Sequence, residues 1–143
     1  MMKKRLEPIY TFMLFLFLVF TLMTALVPKL VHAESDSYFT VSRLEIAGSI
    51  ENLEPVGVVD IFAASTEKVY CFLEATAIGQ DTTVNFIWYH QEKRMAIVNL
   101  PLKKGAKWRT NSSKRLGGLK GEWKVELQDA DLNVLQTIRF TVE

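Results

Sequence analysis

Gly121-Glu122-Trp123-Lys124-Val125-Glu126-Leu127-Gln128, the turn Asp129-Ala130-Asp131-Leu132-Asn133, and then Leu135-Gln136-Thr137-Ile138-Arg139-Phe140-Thr141-Val142 decide the fold class. Trp123, Val125 and Leu127 alternate with Lys124, Glu126 and Gln128. Beyond the turn, Ile138, Phe140 and Val142 alternate with Thr137, Arg139 and Thr141. Successive side chains on a strand point to opposite faces, so this pattern predicts a hairpin with one buried face.

The same grammar extends towards the N-terminus. Candidate strands are 39–47, 56–63, 68–78, 82–90, 94–102, 107–112, 122–129 and 135–142, rich in β-branched and aromatic residues. Short polar or glycine-containing turns separate them, including Gly79-Gln80-Asp81, Lys103-Lys104-Gly105 and Gly117-Gly118. Eight short strands with no long 3.6-period segment predict an all-β, antiparallel, immunoglobulin-like sandwich over residues 39–143. Trp123 is expected in the core. Of the neighbours Trp88 and Tyr89, one should face inward and one outward.

Residues 1–33 read differently. Lys3-Lys4-Arg5 precede a stretch from Ile9 to Val27 without a charged residue, and Val31-His32-Ala33 supplies small residues before polar Glu34-Ser35-Asp36. Basic, apolar and small-residue regions in that order predict a secretory signal cleaved after Ala33. An uncleaved anchor is the alternative, since the apolar run approaches spanning length. Residues 34–38 form a short linker. Either way the domain is expected outside the cytoplasm, periplasmic or secreted. Membrane contact is expected only through an uncleaved N-terminal segment.

Cys71 is the single cysteine, so no intramolecular disulfide can form. It lies in the apolar run Val69–Leu73 and is expected to be a packed core thiol. Charge is segregated along the chain. Residues 34–92 hold ten acidic and two basic residues, whereas 93–124 hold ten basic residues against Glu122 alone. If folding keeps those segments apart, a basic face favours an anionic partner.

The aromatic run Phe86-Ile87-Trp88-Tyr89, the element Trp108-Arg109-Thr110-Asn111-Ser112-Ser113 and Gly121-Glu122-Trp123-Lys124-Val125 leading into Phe140-Thr141-Val142 form a recognisable series, with Glu54-Pro55-Val56 ahead of them. The pattern across Val41 to Val142 resembles a bacterial family catalogued as domain of unknown function 2914. The resemblance implies a β-sandwich, usually exported or membrane-attached. It brings no assigned reaction and no catalytic residues.

The residues themselves give little support to catalysis. His90 is the only histidine after residue 33 and could serve a serine such as Ser112, but no Gly-x-Ser-x-Gly element surrounds any serine. Too few cysteines and histidines are present for a zinc site. Asp129-x-Asp131-x-Asn133 imitates the start of a calcium loop, but Val134 stands where glycine is needed and Phe140 where glutamate is needed. It reads as a hairpin turn. A glycosidase would need two carboxylates across a cleft, which a small sandwich does not offer Glu51 and Glu54. No cofactor or metal is expected.

The expected activity is therefore binding. The candidate surface comprises Lys103, Lys104, Lys107, Trp108, Arg109, Lys114 and Arg115. Cations beside a tryptophan suit an envelope protein or an anionic envelope polymer or lipid, and nucleic acid is not expected as a partner outside the cytoplasm. Two alternatives remain at this level: assembly through an edge strand, and a small hydrolase using His90.

Overall fold

The computed structural model describes residues 37–143. The expected signal segment, and all of the linker but its last two residues, lie outside the described residues. Nine strands follow: β1 (Thr40–Glu51), β2 (Glu54–Val58), β3 (Ile61–Phe62), β4 (Lys68–Ile78), β5 (Thr82–His90), β6 (Lys93–Leu102), β7 (Gly105–Arg115), β8 (Gly121–Gln128) and β9 (Val134–Val142). They form a four-stranded sheet, β2-β1-β4-β7, and a five-stranded sheet, β3-β9-β8-β5-β6.

The sandwich is as expected, with one strand more. The segment expected as one strand over 56–63 divides at Val59-Asp60. β2 pairs antiparallel with β1, while β3 crosses to the other sheet and pairs parallel with β9. Every other pairing is antiparallel.

The two inner faces interlock as the alternation predicted. Val69, Cys71, Leu73 and Ala75 of β4 meet Phe86 and Trp88 of β5, Trp123, Val125 and Leu127 of β8, and Phe140 and Val142 of β9 in one buried cluster. Trp88 is fully buried and Tyr89 is half-buried on the other face. The Trp88 indole N–H donates to Ser112 Oγ at 2.9 Å, joining the two sheets through the core, and Trp123 Nε1 donates to the Leu119 carbonyl at 3.0 Å. Each buried indole thus has an acceptor, which large core tryptophans require. Cys71 is a buried free thiol, and burial pushes its pKa well above the ordinary thiol range.

The β8–β9 turn is built around Asp129. Its Oδ1 accepts the amides of Asp131 and Asn133, each at 2.9 Å, and its Oδ2 accepts from Asn133 Nδ2 at 3.0 Å. The side chain that imitated a calcium ligand is consumed in holding the hairpin.

One departure from a plain sandwich positions the candidate site. Residues 40–47 of β1 pair with β4, but the rest of the strand pairs only with β2. Glu54 faces Glu51 at the hairpin tip, yet its carboxylate reaches Arg43 of β1 at 2.9 Å and Arg109 of β7 at 2.7 Å. A straight strand would separate Arg43 from Glu51 by about 27 Å, far more than two side chains can bridge. The β1–β2 hairpin therefore curls back across the outer face of its own sheet.

The curl occurs where Gly48 and Gly57 face one another. A Cβ on Gly57 would lie 3.8 Å from the Gly48 nitrogen, and Gly57 has φ +68°, a conformation that favours glycine. Under the curl, Phe72 points outward from β4 and belongs to no part of the core cluster, yet it is 1% exposed. The Arg43 guanidinium lies 5.0 Å from its ring centroid.

Candidate functional site

β7 is one edge of the four-stranded sheet, and β2 is the other. Its register against β4 sets Arg109 beside Glu74 and Lys107 beside Thr76, on the face that the hairpin crosses. The hairpin tip, Asn52-Leu53, turns with both residues at positive φ (49° and 60°) and leaves Leu53 64% exposed. Leu53, Lys107, Trp108 and Arg109 together line an open groove of about 640 Å³. Trp108 alternates to the opposite side from its neighbours. One side of it packs against the core, and the other is left half-exposed to the groove.

Electrostatics fix this corner. Glu74 is the one acidic residue of β4, with a side chain only 9% exposed. It accepts from Arg109 Nε at 2.8 Å and from Ser42 Oγ at 2.9 Å, and Lys107 Nζ lies 3.9 Å away. The Arg109 guanidinium, then the Ser42 hydroxyl, hold the Glu74 carboxyl below the usual carboxylate range. Glu54 bridges Arg109 and Arg43, and Arg43 continues to Glu45 at 3.0 Å. Bonds to Glu54 and then to Glu45 raise the Arg43 pKa.

The seven residues expected to form one surface are only partly brought together. Lys107, Trp108 and Arg109 share the groove. Lys103 and Lys104 lie at the β6–β7 turn, where Lys103 Nζ meets Asp81 at 3.2 Å and the Lys104 amide donates to Asp81 at 2.8 Å. Lys114 and Arg115 end β7, and Arg115 lies 3.9 Å from Glu67. The charges segregated along the chain are thus interleaved by folding.

Ser112 and His90 engage different partners. Ser112 is buried as the acceptor for Trp88, whereas His90 Nε2 donates to the Lys120 carbonyl at 2.7 Å and its ring lies 4.7 Å from that of Trp123. The pairing a serine hydrolase would need is not formed. Among the described residues, no group of three or more histidine, cysteine or acidic side chains is arranged to hold a metal ion.

Sequence reasoning missed Leu53, Glu54 and Glu74 as parts of the site. Glu74 carried a signal: it is the one charge between Lys68 and Asp81, in a strand whose inner face is wholly apolar. The fold-back of the hairpin carried none beyond Gly48 and Gly57.

This geometry can be compared with known proteins. Residues 81–142 match the family described as protein of unknown function DUF2914. The DUF2914 match runs from just before β5 to the end of β9 and includes Lys107, Trp108 and Arg109. Glu54-Pro55-Val56 lies ahead of it. No curated protein matches the chain. Among solved structures, an immunoglobulin-like protein from Pseudomonas aeruginosa is similar at a TM-score of 0.52 and 12% identity, covering 73% of this chain and 96% of that one. A β-glucosidase from Erythrobacter marinus is similar at a TM-score of 0.51 and 8% identity, over 73% of this chain and 15% of that one. At these identities the likeness is one of fold alone. The DUF2914 match agrees with the resemblance read from the sequence, over residues 81–142 and not its full extent, and the immunoglobulin-like neighbour agrees with the sandwich.

Proposed function

We propose that this domain is a non-catalytic binding module of the bacterial envelope, acting outside the cytoplasm, that takes an anionic group of an envelope component in the groove on β7. The observation that carries this reading is the juxtaposition of Lys107, Trp108 and Arg109 at an open groove on a free sheet edge. Cations supply attraction to phosphate or carboxylate, and the indole offers a face for a sugar ring or an acyl boundary. The export pattern of residues 1–33 supports an envelope partner.

All nine strands lie within the compact unit Ser35–Glu143, so this fragment carries its own core and can be tested alone. It is expected to co-sediment with vesicles containing phosphatidylglycerol and not with neutral phosphatidylcholine vesicles. Binding should weaken as salt rises, and Lys107→Glu with Trp108→Ala should abolish it at the cost of a lower Tm, since the indole packs against the core. Lys107→Glu alone should weaken it with the Tm close to that of the parent. Equal binding to both vesicle types, or binding unchanged in the double variant, would remove this reading.

A second reading, assembly by edge pairing, is favoured by β2. It is an unpaired sheet edge with Val56 and Val58 exposed. It predicts dimers in light scattering that persist at high salt.

A further inference from the structure

Glu54 is the one member of the charged cluster that the far half of the hairpin, beyond Gly48, carries. Its Oε1 lies 2.7 Å from Arg109 Nη1 and its Oε2 2.9 Å from Arg43 Nη1, so a single carboxylate sits between two guanidinium groups. Both arginines are held from the sheet without it. Arg109 donates through Nε to buried Glu74, and Arg43 donates through Nη2 to Glu45. The cradle would therefore survive loss of Glu54, with two guanidinium N–H groups aimed at one point. Paired arginines presenting such donors are a common solution to carboxylate and phosphate recognition.

The hairpin that delivers Glu54 is lightly held, with the outward-facing Phe72 as the apolar contact beneath it. Its far half pairs with no strand other than β2, its base is the facing pair Gly48 and Gly57, and its tip residue Leu53 lies largely in solvent. Glu54 is itself 41% exposed, and exposed ion pairs contribute little to stability. The groove is lined by Leu53, which precedes Glu54 in the chain, and by Arg109, which Glu54 bonds, together with Lys107 and Trp108.

We infer that the β1–β2 hairpin is a lid over an anion site, and that Glu54 is the internal occupant which a ligand's phosphate or carboxylate replaces between Arg43 and Arg109. The ligand anion takes the two guanidinium donors, the remainder of the ligand extends along Trp108 and Lys107, and the hairpin swings out about Gly48 and Gly57. This inference rests on the binding role proposed for the groove and adds its regulation. Affinity is lowered by the fraction of molecules in which Glu54 holds the site, so removing Glu54 should raise it.

The test uses residues 35–143 as the parent fragment and as Glu54→Ala. Amide hydrogen exchange is followed across 48–58, and binding of inorganic phosphate and of succinate is titrated separately, to tell a phosphate-bearing from a carboxylate-bearing ligand. Glu54→Ala is expected to speed exchange in the hairpin while leaving β4, β5 and β8 protected, and to tighten binding of at least one anion several-fold. Arg43→Gln added to Glu54→Ala should cancel that gain. Unchanged hairpin exchange in Glu54→Ala overturns the lid, whatever vesicles do. Faster exchange with no gain for either anion overturns the masked site. Faster exchange and tighter anion binding, with no vesicle binding by either variant, supports the lid and overturns only the envelope-lipid ligand.

Discussion

At the scale of single residues, the fold depends on whether each polar atom that enters the core finds a partner. Ser112 is the instructive case, because its hydroxyl is a candidate nucleophile in the sequence and a structural acceptor in the fold. It receives the indole N–H of fully buried Trp88 at 2.9 Å. Ser112→Ala would leave that N–H unsatisfied in the sandwich interior, which costs about 1–3 kcal/mol. Equilibrium urea unfolding should show the loss as a lower midpoint with an unchanged slope. A destabilisation near zero would mean that the indole N–H finds another acceptor. Much of this scale is legible in sequence, since alternation alone assigns Trp123, Val125, Leu127 and Phe140 to the interior, while the choice between Trp88 and Tyr89 comes only with the fold. The charged cluster is not legible. Glu74 meets Arg109 across 35 positions and Arg43 meets Glu54 across 11, and pairing at such separations depends on register that periodicity does not encode.

At the scale of elements, strand existence follows from local pattern, and the one merged strand shows where pattern stops. Val56 to Ala63 reads as one strand-like run broken only by Gly57 and Asp60, but Val58 belongs to one sheet and Ile61 to the other. Asp60, the one charge in the run, marks the break at Val59-Asp60, but a strand that changes sheets keeps its residue types and changes only its partners, so the mark does not announce the crossing. The curled hairpin is similar, with Gly57 as its clearest mark. A Cβ at this position would make ordinary contacts at 3.8 and 4.0 Å, so the cost of Gly57→Ala is backbone strain at φ +68° rather than a clash. That strain is about 1–2 kcal/mol. If the hairpin is a separable element, the strain should appear as faster amide exchange confined to 48–58, with the thermal midpoint of the sandwich nearly unchanged. An equal loss of protection in β4 and β8 would show instead that the hairpin unfolds only with the whole domain.

At the scale of the whole molecule, ion pairs distributed over both sheets tie stability to pH in a definite direction. Glu74, Asp81 and Glu92 all lie below their ordinary carboxylate values, through Arg109, the Lys104 amide and Lys124 respectively. A carboxyl whose folded pKa is depressed adds stability that is present above its unfolded value, near 4, and is lost as pH falls through the folded value. On the alkaline side the signs reverse. Lys124 is raised chiefly by Glu92, and Tyr89 is raised by burial and then by Glu126. A group with a raised folded pKa adds stability that is complete below its unfolded value, near 10, and is lost as pH rises through the folded one. The thermal midpoint of residues 35–143 should therefore be flat from about pH 5 to 9 and fall on both sides. Glu74→Gln should lower the plateau and make the acid limb shallower, because one of the carboxylates that must be protonated is gone. It should leave the alkaline limb unchanged, since Lys124 and Tyr89 lie on the other sheet. An acid limb of the same steepness in Glu74→Gln would mean that the remaining carboxylates, and not the pair beneath the hairpin, set the acid sensitivity of the domain.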